Sequence, residues 1–114
     1  MVALLRNAGR TAGDDGADGR RLRDDEAQLV LFARSRTGVE AFVEVRVPVT
    51  DTTIVLVAAT GEWTRRRVPG PQAAYQLGRR LGIAVHDVAV VGYPQRMRDW
   101  TSRLCAEQKV RRDG

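Results

Sequence analysis

The segment "WTRRRV", Trp63 to Val68, gathers the side chains with the most chemical capacity in this chain. In an extended strand Trp63, Arg65 and Arg67 share one face, and Thr64, Arg66 and Val68 share the other. An indole flanked by guanidinium groups can stack a base and hold phosphates, as single-stranded nucleic acid requires. The same residues also suit a structural role. Trp63 would then be buried for its area, with arginine stems across it gaining about 0.5–1 kcal/mol of cation–π attraction.

Further cations are spread along the C-terminal half: Arg79, Arg80, Arg96, Lys109, Arg111 and Arg112. Tyr93, in "GYP", would widen a binding face if it lined a groove with Trp63 and Arg96. Arg96, Asp99, Arg103 and Glu107 recur at spacings of three and four, which makes intrahelical pairs of a few tenths of a kcal/mol on a solvated face. The basic end, Lys109 to Arg112, is left as the better place for nonspecific contact with an acidic partner.

Other chemistries are poorly served. His86 is the one histidine, so a nucleophilic device would need it beside Cys105, Ser35 or Ser102, and no spacing brings them together. Neither a P-loop nor a Gly-x-Gly-x-x-Gly motif occurs. Counted from Asp14, Asp18 and Gly19 fall at positions five and six of a calcium loop, but Gly16 occupies position three and Asp25, not Glu, position twelve. The expectation is a protein that is not an enzyme and holds no cofactor or metal.

Composition narrows the setting. The 114 residues suit one domain. Net charge is +5, and it is uneven: Gly61 to Gly114 has eleven Lys or Arg against five Asp or Glu, whereas Met1 to Thr60 has eight against nine. All the basic residues but Lys109 are arginine, a bias typical of high-GC coding, which discounts the high isoelectric point as a sign of binding. Cys105 has no partner for a disulfide within the chain, and no apolar run approaches a membrane span or a signal peptide, so a cytoplasmic setting is expected.

These side chains need elements to position them. Residues 1–27 are rich in Gly, Asp and Arg and read as a flexible charged tail, which places the domain at 28–112. "QLVLFAR", from Gln28, is apolar at both parities and is read as a strand, with a helix as the alternative. "VEAFVEVRV" alternates as a strand with one buried face, and "TTIVLVAA" reads as a central strand covered on both. Gly61 then supplies a positive φ in a turn leading to "WTRRRV".

Pro71 opens a helix with the stripe Ala74, Leu77 and Leu81, closed by Gly82. "IAVHDVAVV" reads as a further strand, and a second helix follows "GYP" with the stripe Met97, Trp100 and Leu104. The expected fold is α+β, in the order β-β-β-β-α-β-α: a small antiparallel or mixed sheet of four to five strands with two helices on one face.

The runs "GEWTRRRV" and "VGYPQRMRDW" resemble a family of small uncharacterised actinobacterial proteins, over roughly Val39 to Leu104. The resemblance implies lineage and compartment and carries no catalytic residues. Two functions remain open. One is a protein-interaction or regulatory module, binding a protein partner or itself. The other is a nucleic-acid-binding accessory protein contacting RNA or DNA through the arginines. An exposed apolar patch would favour the first, and unpaired arginines gathered on one face the second.

Overall fold

The computed structural model describes residues 17–46 and 52–113. In chain order the elements are α1 (Ala17–Ser35), β1 (Glu40–Val45), β2 (Thr52–Val57), β3 (Trp63–Val68), α2 (Pro71–Leu81), β4 (Val85–Asp87), the single turn α3 (Val88–Val91) and α4 (Gln95–Asp113). The fold is α+β, built on one four-stranded mixed sheet of order β3-β2-β1-β4. β1 and β3 pair antiparallel with β2, while β4 lies parallel to β1.

Three elements depart from the expected order. Gln28 to Arg34 is helical, the last part of α1, so the domain does not open on a strand. Leu22, Leu29 and Phe32 recur at helical spacing, with Leu29 and Phe32 buried. That period begins upstream of the window "QLVLFAR", which is why the window alone misleads. The expected division at residue 27 falls inside α1, whose Asp25 and Glu26 already face Arg66 of β3 and Arg80 of α2. Residues 1–16 of the expected tail lie outside the described residues. Of the calcium loop counted from Asp14, positions one to three lie outside the described residues and the remaining positions, residues 17–25, are helix.

Downstream, β4 is only three residues long, and Val88 to Val91 turn into α3 instead of continuing the strand. Asp87 causes the change of direction: its carboxylate accepts the Ala89 N–H at 2.8 Å and caps the turn.

Both faces of the sheet are covered. On the first, Ala41, Val43, Ile54, Leu56 and Val68 pack against Leu29 and Phe32 of α1 and Ala74 and Leu77 of α2. On the second, Phe42, Val55 and Val57 pack against Met97, with Trp63, Val88 and Tyr93 at the margin. The expectation of helices on one face, and of a β1 buried on one side only, is therefore corrected. Phe42 is 4% exposed because the start of α4 lies over it, whereas Val45 at the strand end is open. β2 is central and buried on both faces, as its sequence indicates.

α4 divides into two parts. Its first turns sit on the sheet through Met97, with Trp100 half-buried, but every residue from Thr101 to Arg111 is exposed. The apolar stripe Met97, Trp100, Leu104 thus contributes to the core only through Met97. The projecting half gives the chain its elongation, 55 × 30 × 29 Å.

The seating of α4 depends on Gly61, in the turn between β2 and β3, which adopts φ +97° as its sequence setting suggested. A Cβ there would stand 2.1 Å from the Arg96 carbonyl oxygen, so helix backbone and turn backbone touch. Gly61→Ala is expected to cost about 2–3 kcal/mol, from left-handed strain together with overpacking. Gly70→Ala, at an extended and open position, should change stability far less. Urea unfolding of the two variants beside the parent checks this; equal losses would overturn the account of α4 docking.

Candidate functional site

The structure separates the arginines that the sequence places side by side. Arg65 lies on the second face and reaches across β2 to Glu44 of β1, donating from Nε at 2.8 Å and from Nη2 at 3.1 Å. Glu44, 5% exposed, also accepts the Thr53 hydroxyl at 2.5 Å and the Tyr93 hydroxyl. Burial pushes the Glu44 carboxyl up, but the donors from Arg65, Thr53 and Tyr93 outweigh it and hold the pKa at about 2. Burial and the Glu44 carboxylate in turn raise the Tyr93 phenol. Tyr93 therefore points inward to a carboxylate.

Trp63 belongs to the same structural cluster. Its Nε1 donates to Thr101 Oγ1 at 2.9 Å, and Arg65 lies over its ring with 5.2 Å from Cζ to the centroid. This is the anchoring role. Beside it, Arg96 donates to the Ala58 carbonyl at 3.0 Å and to Glu40 at 2.8 Å, and Glu40 stands 3.4 Å from His86 Nε2. The Arg96 hydrogen bond is the main reason the Glu40 carboxyl is lowered. His86 spends its other surface on the Phe42 ring, at 5.0 Å between centroids. Ser35 bonds Phe32 and Arg36, so neither residue is arranged as a base–nucleophile pair.

Arg66 points to the opposite face, 3.8 Å from Asp25, with its Nε buried and unpartnered. Arg79 and Arg80 are exposed in the last turn of α2, Arg80 bonded to Glu26 at 2.7 Å. Lys109 and Arg111 lie on the projecting half of α4, and the Arg112 side chain is outside what the structure describes. Of the residues that the sequence singles out, Trp63, Arg65, Arg66, Arg67, Arg79, Arg80, Tyr93, Arg96, Lys109, Arg111 and Arg112, the ten whose side chains are described do not form one surface.

A different surface emerges over α1 and α2. α1 rests mainly on β3 at the sheet edge, while α2 spreads over the sheet, and a groove opens between them. Two cavities of about 410 and 220 Å³ share Glu26, Ala73 and Leu77, and a third of about 460 Å³ continues from Arg23 and Glu26 across Val30 and Leu31 to Arg34. The floor is apolar and Leu31 is 59% exposed. The charged side chains along the three are Arg23, Arg34, Arg67, Arg79 and Arg80 against Glu26 alone. Among the described residues Arg23, Arg34, Arg67 and Arg79 have no carboxylate partner.

Sequence reading named Arg67, Arg79 and Arg80 but missed Arg23, Arg34 and Leu31, having treated their segment as tail and strand. The signal available was the spacing of Arg23, Ala27, Val30 and Arg34, one face of a helix.

No helix among the described residues is long and apolar enough to cross a membrane, and no group of His, Cys, Asp or Glu among them could hold a metal ion. Comparison with protein-family models, curated proteins and solved structures finds no match.

The Glu44 cluster yields a test of its own. Because the folded carboxyl titrates near 2 and the unfolded one near 4.5, its stabilisation is complete above about pH 4.5 and is lost as pH falls toward 2. Glu44→Ala is expected to cost about 2–4 kcal/mol at neutral pH, leaving Tyr93 and Thr53 without their acceptor. Between pH 4.5 and 2 the parent should lose stability more steeply than the variant. Parallel acid slopes in denaturant titrations would show that Glu44 is not the responsible group.

Proposed function

We propose that this chain is a small non-catalytic protein-interaction module. The observation that supports the reading is the surface over α1 and α2, where apolar side chains stay open to solvent beside arginines that have no intramolecular partner. A folded chain leaves such a combination uncovered at a cost, and contiguous apolar surface with a polar rim is characteristic of docking sites.

Nucleic acid is the competing reading, and it asks for unpaired arginines on a common face. Arg65 and Arg96 are committed to Glu44 and Glu40 on one side of the sheet and Arg66 faces Asp25 on the other, while the unpaired Arg23, Arg34, Arg67 and Arg79 lie along apolar surface and not beside an open aromatic platform. The aromatic platform that would stack bases, Trp63, is held by Thr101 and covered by Arg65.

The test is site-specific photo-crosslinking in cells that naturally make the protein, with the reactive side chain at Leu31, at Gln76 or at Glu107 on the projecting half of α4. Discrete protein adducts are expected from positions 31 and 76 and not from 107, and excess parent chain should compete them away. Adducts to nucleic acid, or the same adduct pattern from all three positions, would refute the interaction reading.

A further inference from the structure

We infer that the groove between α1 and α2 receives an acidic amphipathic helix of another protein. The inference rests on the interaction reading above and specifies its partner.

Three features of the groove point to this occupant. Its walls are helices, with Leu22 and Glu26 on one side and Ala73, Leu77 and Arg80 on the other, each set at the spacing of a single helical face. β3 is an edge strand and its end, Arg67 and Val68, reaches the floor, but α1 and α2 form the walls on either side, so side-chain packing of a third helix is the mode that fits. The floor around Ala73, Leu77 and Val68 is apolar and contains no aromatic side chain, which suits Leu or Ile anchors and gives nucleobases nothing to stack upon.

Charge selects among amphipathic helices. Five arginines and one glutamate line the three connected cavities, and the glutamate is occupied by Arg80. A helix carrying carboxylates on both flanks of its apolar stripe would pair with Arg23 and Arg34 along one side and Arg79 along the other. A second copy of this chain is a poor match, because its own α1–α2 surface is cationic and its net charge is +5. Like charges opposed across an interface disfavour association.

The full chain, immobilised, would be panned against a displayed library of random helical peptides. Bound clones would be eluted and sequenced, then measured individually against the parent, an Arg23→Glu/Arg79→Glu variant and a Leu77→Asp variant. Leu77 is core, so Leu31→Asp, at an exposed position, serves as the apolar-contact variant that keeps the fold.

The expected result is enrichment of peptides with net negative charge and apolar residues at i, i+3 or i+4, and i+7. Their affinity should fall tenfold or more in the charge-reversal variant and in Leu31→Asp, and decrease with added salt. Enriched peptides that are neutral or basic but still lose binding in Leu31→Asp would overturn the acidic partner while leaving the interaction reading standing. Failure of any peptide to bind the groove would overturn the inference. So would binding that appears only after residues 1–16 are removed, since the chain's own N-terminal segment would then be the occupant. The crosslinking pattern from Leu31 and Gln76 judges the broader reading independently.

Discussion

The second face of the sheet depends on one carboxylate. Glu44 is buried on the face that carries Phe42 and Val55, and its charge is tolerable only because donors arrive from three directions: Thr53 on the neighbouring strand, Arg65 two strands away and Tyr93 on the approach to α4. An isolated buried carboxylate would cost several kcal/mol, so the strands and the connection before α4 must hold a geometry that supplies all three. Glu44 lies directly opposite Thr53, and Arg65 lies opposite Val55, so the Glu44–Arg65 pair runs diagonally over the central strand. A slip of β3 by one residue would turn Arg65 to the other face and strand the carboxylate. The pair adds little net stability relative to an apolar alternative, but it discriminates strongly among registers.

The same constraint governs α4. Tyr93 fixes the approach, Gly61 admits the helix backbone, and Trp63 receives Thr101. Among the described residues nothing holds the helix to the sheet beyond Thr101, and the residues that follow are polar apart from Leu104, Cys105, Ala106 and Val110. Half of α4 closes the core, and half stands in solvent on its own hydrogen bonds, where a segment of this length has only marginal intrinsic stability. The Arg103 guanidinium over the Trp100 ring, 5.6 Å from the centroid, covers the join between the two halves.

Much of the sheet was legible because its signals are local. "TTIVLVAA" is apolar at both parities, Gly61 sits in a turn, and Pro71 and Gly82 bracket α2, so β2, the hairpin and α2 follow from residues close in sequence. The errors arose where a distant partner decides. Glu44 looked like a solvent-facing residue of an alternating strand, since nothing near it in sequence reveals Arg65 or Tyr93, 21 and 49 residues away. Val88 to Val91 carry strong β-propensity, yet a single capping carboxylate at Asp87 diverts them into a helical turn. α1 was missed because its charged first half resembles a tail by composition, whereas its helical period only becomes clear when Leu22 is counted with Leu29 and Phe32.

That last error bears most on function. Counting arginines by position in the sequence puts the positive surface on β3 and the C-terminal end, but charge available to a partner is charge not already used inside the fold. Arg65 and Arg96 are used, and Arg66 and Arg80 have carboxylates beside them. Once α1 is recognised as a helix resting on β3, Arg23 and Arg34 become neighbours of exposed Leu31, and Arg79 lines the adjoining cavity with Leu77, Glu26 belonging to both. The cations that remain unpaired thus lie beside open apolar surface instead of beside an exposed aromatic. For an amphipathic protein segment that juxtaposition offers both burial and charge pairing, while for a phosphate backbone it offers charge alone.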